Sequence, residues 1–165
     1  MDIIIANILN LIGQLFVFYA ASRNDKKQIL FYQIISVLFM ASCSLILKGY
    51  TAIVMDAVTV GRNILSIYSI SSKTISIVFT GLAVVFGVLF NNLGFLGLLP
   101  IVANVVQTVV ILNEKSTTRQ VQLVSAFGCF CWAIYNLVIH SYTGLIFDSV
   151  NGFSFLLHAF KGEEA

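Results

Sequence analysis

Charge is the first thing this sequence lacks. Only 10% of its 165 residues are Asp, Glu, Lys or Arg, where a soluble domain carries about 25%. The apolar stretches are too many and too long to be the core of one water-soluble domain, and the mean hydropathy is +0.97. Short alternating segments of about 10 residues, the signature of a membrane β-barrel, are missing. Helical spans of about 20 mostly apolar residues remain as the unit, so the expected class is an all-α membrane protein.

Further absences narrow the chemistry. The three cysteines, Cys43, Cys129 and Cys131, lie in apolar runs and form no C-x-x-C; they read as small apolar fillers. No G-x-S-x-G is present. The stretch "DAVTVGR" faintly resembles an Asp–Arg phosphotransfer signature, yet one Asp is not the carboxylate cluster that holds catalytic metals. His140 and His158 fall at opposite ends of a span and form no pair. The expectation is a non-enzyme without metal or cofactor. The N-terminal apolar run lacks the positive n-region of a signal peptide. Its positive charges follow it, which is the order of a first membrane helix entering with its N-terminus outside.

Seven spans are expected, near residues 3–22, 27–47, 51–71, 74–91, 95–113, 119–140 and 143–160, joined by short loops. An odd number puts the termini on opposite sides. Arg23, Lys26, Lys27, Lys73, Lys115, Arg119 and Lys161 then share one side with the C-terminus, against Lys48 on the other. The positive-inside rule makes the richer side cytoplasmic.

The chain also aligns with itself. At an offset of 92 residues, 27–68 matches 119–160, with Gln28/Gln120, Tyr50/Tyr142, Thr51/Thr143 and Asp56/Asp148 among the identities. Gln14 and Gln107 pair if the first loop is one residue shorter than the fifth. The expected organisation is a three-helix bundle (1–72), a linker helix (73–93), a second, parallel bundle (94–162) and a short cytoplasmic tail (163–165). Such halves are related by an axis along the membrane normal.

Polar residues fall on helical stripes with i, i+3, i+7 spacing. Helix two carries Gln33, Ser36, Met40 and Cys43/Ser44; helix three carries Asp56, Thr59, Asn63 and Ser66. Helix six carries Ser125, Gly128, Trp132 and Tyr135/Asn136; helix seven carries Asp148, Asn151, Phe155 and His158. Helix four offers only Ser, Thr and Gly and reads as a lipid-facing connector. Small polar residues ordinarily line helix contacts in membranes. That explanation is less adequate for Asp56, Arg62, Asn63, Asp148 and Asn151, because a mid-bilayer charge costs about 2.5–3.5 kcal/mol and usually faces a wet cavity or a partner. Asp56 and Arg62 lie about 120° apart on their helix and cannot pair. The expectation is an Arg62–Asp148 pair or water bridge across the central axis, with Arg62 reaching the cytoplasmic edge as the alternative.

This layout resembles the SWEET and PQ-loop transporters and, more narrowly, the bacterial inner-membrane YgjV family; "CWAIYN" (Cys131 to Asn136) is the local piece that carries the narrower likeness. The resemblance implies solute held between the bundles by asparagines of helices three and seven, here Asn63 and Asn151. The hinge prolines reduce to Pro100, and no proline follows Gln28 or Gln120. The expected function is a transporter or facilitator of a small polar solute, charged or zwitterionic, at a site of Asn63, Trp132, Asn136 and Asn151. Asp56, Arg62 and Asp148 would form a charge network beside it. Lipid and solute are the expected partners, nucleic acid is not, and a homo-oligomer is left open. The competing reading is a membrane interaction or assembly component without flux.

Overall fold

The computed structural model describes residues 2–47, 49–70, 72–91, 93–139 and 141–161. Lys48, His140 and the tail 163–165 lie outside them. Among the described residues the chain forms seven α-helices: α1 (Asp2–Ala21), α2 (Lys26–Ile46), α3 (Tyr50–Ile67), α4 (Lys73–Leu89), α5 (Leu99–Ile111), α6 (Thr118–Val138) and α7 (Tyr142–Lys161). All seven expected helices are present, with ends shifted by at most a few residues. The largest departure is at the fifth. A 3₁₀ segment, Gly94–Leu98, precedes α5, and Pro100 stands in the first turn of the α-helix. Proline has no N–H to continue an i→i−4 ladder backwards, so the regular helix begins beside it.

Helix starts follow from local chemistry. The Asp25 side chain accepts from the backbone N–H of Gln28 at the start of α2. At α6, Thr117 and Gln120 form a reciprocal capping box, satisfying two amides that a helix N-terminus otherwise leaves open. The repeated glutamines Gln28 and Gln120 therefore occupy the same capping position in their helices.

Four helical stretches are long and apolar enough to cross a membrane: Ile3–Ala21, Lys26–Ile46, Gly94–Ile111 and Thr118–Val138. The apolar α4 is shorter, at 17 residues. Large side chains such as Leu15, Phe18, Phe31, Leu45, Ile77, Leu89, Phe153 and Leu157 point outward. A surface this apolar is suited to lipid.

The helices pack in chain order: α1 on α2, α2 on α3, α5 on α6 and α6 on α7. Contact between α1 and α7 closes the circuit, and α3 meets α5 directly. α4 rests on α3 and α5 and buries only Ala83 and Gly87. Methionine Met55, Val58, Ala83 and Ile101 make the apolar seam there. A second apolar cluster, including Val17, Ile29, Leu30, Ile111, Val121 and Phe155, fills the interior near the first and fifth loops. Those loops are tied together. Lys26 Nζ donates to Asn113 O (3.2 Å) and Ser116 Oγ (2.7 Å), and Gln122 Nε2 donates to Arg23 O (3.2 Å).

Candidate functional site

Inside the circuit is a cavity of about 350 Å³, within the size range of small-molecule sites. Six helices wall it, and α4 contributes nothing. The stripes of α2 and α6 face it in full: Gln33, Ser36, Met40, Cys43 and Ser44 on one side, and Ser125, Gly128, Trp132, Tyr135 and Asn136 on the other. Asn10 and Gln14 of α1, Asp56, Thr59 and Arg62 of α3, Gln107 of α5, and Asp148 and Phe155 of α7 complete most of the wall. The lining reaches Leu47, Gly49, Leu93, Ile139 and Ser141 at the end of the second, fourth and sixth loops. No described residue of the first, third or fifth loop belongs to it.

The charged residues divide between two hydrogen-bond systems. Arg62 is fully buried. Its Nε donates to Asn63 Oδ1 (3.2 Å). Its NH1 donates to Asn104 O (3.0 Å), Asn104 Oδ1 (3.3 Å) and Thr108 Oγ1 (3.2 Å). Its NH2 donates to Gln107 Oε1 (2.5 Å). The guanidinium is thus solvated by neutral oxygens, mostly of α5. Asn63 continues the system to Gln33 Oε1, and Gln33 to Ser125 Oγ, so four helices meet around one cation.

Asp148 belongs to the second system. Gln14 Nε2 donates to its Oδ1 (2.8 Å) and Asn136 Nδ2 to its Oδ2 (2.6 Å). Asn151 Nδ2 donates in turn to Gln14 Oε1 (2.6 Å). Gln14 is therefore a two-way connector between two residues of α7. The expected Arg62–Asp148 pair is not formed: the two groups have separate partners. The reason lies in the packing order. α3 abuts α5, which supplies oxygens at the depth of Arg62, whereas α7 packs on α1 and α6.

Of the sequence-predicted site residues, Trp132, Asn136, Asp56, Arg62 and Asp148 line the cavity. Asn63 and Asn151 are fully buried one layer behind it, bracing Arg62 and Gln14. Trp132 stands edge-on to Tyr135, with ring centroids 5.5 Å apart. Asp56 is buried and cavity-facing, with no hydrogen bond or ion pair to any described residue. The repeat pairs Gln14 with Gln107 in sequence but gives neither a partner in space; that needs the packing order.

Gly128 gives the Arg62 system its tolerance limit. A methyl group there would collide with Gln107 Nε2, which also donates to Val124 O. Gly128→Ala is expected to push Gln107 off Arg62 and to lower stability by about 1–3 kcal/mol, the range for stranding a buried polar group. Thermal unfolding of the detergent-purified variant checks it. Gly61→Ala, which would meet only the ring edge of Phe79, serves as the comparison and is expected to lose less.

No curated protein and no solved structure matches this chain. One family model does, described as a bacterial inner membrane protein. Matched by that model from residue 4 to residue 164, the chain belongs to the Imp-YgjV family of bacterial inner membrane proteins.

Proposed function

We propose that this protein is a transporter or facilitator of a small polar solute. Its helices act as two parallel three-helix bundles, 1–72 and 94–162, about the linker helix of 73–93, as in SWEET-like carriers. All seven helices span the membrane, the N-terminus is outside, and the basic loops one, three and five are cytoplasmic. The reading is carried by one observation: a cavity lined by charged and amide groups that extends to one end of the helices only. At the other end the apolar cluster around Phe155 and the Lys26 bridge to Asn113 and Ser116 fill the interior. A site accessible from one side and closed on the other is one half of an alternating-access cycle.

The repeat supports the same reading. Asp56 and Asp148 both face the cavity, and so do Gln14 and Gln107. Thr51 Oγ1 donates to Phe90 O at the end of α4, and its mate Thr143 donates to Asn7 Oδ1 (3.1 Å) on α1, so each of the two repeat-mates ties its helix to a neighbouring one.

Uptake of labelled small metabolites into proteoliposomes tests the proposal. Saturable flux that fails with Trp132→Ala is expected. Binding in the cavity without flux of any solute in either direction would sink transport and favour the assembly-component alternative.

A further inference from the structure

Among the described residues, Asp56 is the one charged group lining the cavity with no hydrogen-bond or ion-pair partner. It is 7% exposed and lines the cavity. No described residue donates a hydrogen bond to it, although Asp148 receives two and Arg62 gives five. A carboxylate buried this far is costly unless something compensates it. Within the wall the compensation is not available. Arg62 lies six residues further along α3, about 9 Å deeper, with its donors turned to Asn63, Asn104, Gln107 and Thr108. The cavity's charged residues are two aspartates and one arginine, which leaves one net negative charge when all are ionised. Asp148 and Tyr135 line the same cavity as Asp56. Trp132 lines it too, its ring edge-on to that of Tyr135 with centroids 5.5 Å apart. A carboxylate and aromatic rings lining one cavity are groups that hold an organic ammonium, by charge and by cation–π attraction.

We propose that the cavity recognises an organic monocation, its ammonium group docked on Asp56 against Trp132 and Tyr135, with Arg62 serving as internal framework rather than as a ligand for solute. This rests on the transport reading for its setting, but not for its test. At about 30 Å³ per water-sized unit the cavity holds roughly ten non-hydrogen atoms, which fixes the size of the probes.

The experiment is ligand-induced thermal stabilisation and equilibrium binding on the purified protein. The probes are four molecules with one carbon skeleton: butylamine, butanol, butyrate and 4-aminobutyrate. Butylamine is expected to bind about tenfold or more tightly than butanol, since a hydrogen bond to a charged partner in a desolvated site carries at least that ratio. Butyrate is expected not to bind. In Asp56→Asn the advantage of butylamine over butanol should disappear. That variant should fold, because Asp56 contributes no hydrogen bond that the amide would break. Failure of butylamine to bind, or an undiminished preference in Asp56→Asn, would overturn the proposal. So would tighter binding of 4-aminobutyrate, which would make Arg62 a ligand. Equal stabilisation by sodium chloride and butylammonium chloride would do the same, by making the site one for inorganic cations. Binding is read without flux, so transport of neutral solutes with Asp56→Asn intact would sink this inference alone. Butylamine binding without transport would sink only the transport reading.

Discussion

Arg62→Ala is expected to destabilise the protein by about 3 kcal/mol or more, among the largest effects of any single substitution in the cavity wall. Nothing about the residue's position on α3 alone would say so. The size comes from what the guanidinium holds. It satisfies oxygens of Asn63, Asn104, Thr108 and Gln107 at once, and Asn104 also accepts from Thr59 Oγ1 at 2.9 Å. Truncation leaves several buried acceptors competing for few donors and opens a void where the largest fully buried side chain stood. Each stranded group costs about 1–3 kcal/mol, tempered by relaxation of its neighbours. Arg62→Lys should recover part of the loss, because an ammonium restores the charge but offers three donors from one point where the guanidinium spreads five. Asp148→Ala should be additive with Arg62→Ala, since the two residues share no hydrogen-bond partner, and unshared sites add to within about 0.5 kcal/mol. Thermal and denaturant unfolding of the two single variants and the double variant in detergent is the measurement. A coupling well above that limit would show that the two charges act as a pair.

The separation of Arg62 from Asp148 also marks where the sequence stops being readable. Helix positions were legible because apolar runs of membrane length are interrupted only at "SRNDKK", "NEKSTT" and similar short polar stretches; α6 was expected at 119–140 and forms at 118–138. The faces of α2 and α6 were legible too, since a stripe of Gln33, Ser36, Met40 and Cys43 has no use against lipid. What periodicity cannot supply is which helix stands opposite a given stripe. The expectation of an Arg62–Asp148 pair starts from the roughly 120° between Asp56 and Arg62, which is a property of one helix. The choice of partner depends on the circuit order, and α5 is closer. Asn63 shows a second limit. It lies within about 20° of Asp56 around α3, so the stripe is right, but it sits two turns along, where Gln33 and Ser125 already fill the space. A face is legible from spacing; the floor of a cavity is not. Asn151 stands about 60° from Asp148 on α7, enough to turn it from the cavity to Gln14.

Gln14 carries the second large effect, and a reversed pair of substitutions isolates it. Its amide donates to Asp148 through Nε2 and accepts from Asn151 through Oε1. Gln14→Glu keeps the shape and the acceptor for Asn151 but puts a carboxylate at 2.8 Å from another. Like charges in such contact cost several kcal/mol, and a loss of about 3 kcal/mol is expected. Asp148→Asn alone should cost less, about 1–2 kcal/mol, because the new amide can accept from Asn136 but must present its NH₂ or its only oxygen to the Gln14 donor. Combined, the two changes reverse the polarity of one hydrogen bond and keep the rest. Asn at 148 accepts from Asn136 and donates to Glu at 14, and Glu at 14 still accepts from Asn151. The cavity's net charge is also unchanged. The double variant is therefore expected to be more stable than Gln14→Glu alone by about 2 kcal/mol, and to retain the Asp56-dependent preference for butylamine over butanol. If it is no more stable than Gln14→Glu, the connection from α1 to α7 through these atoms is wrong. The closure of the helical circuit would then rest on the apolar contacts between α1 and α7 rather than on this chain of amides.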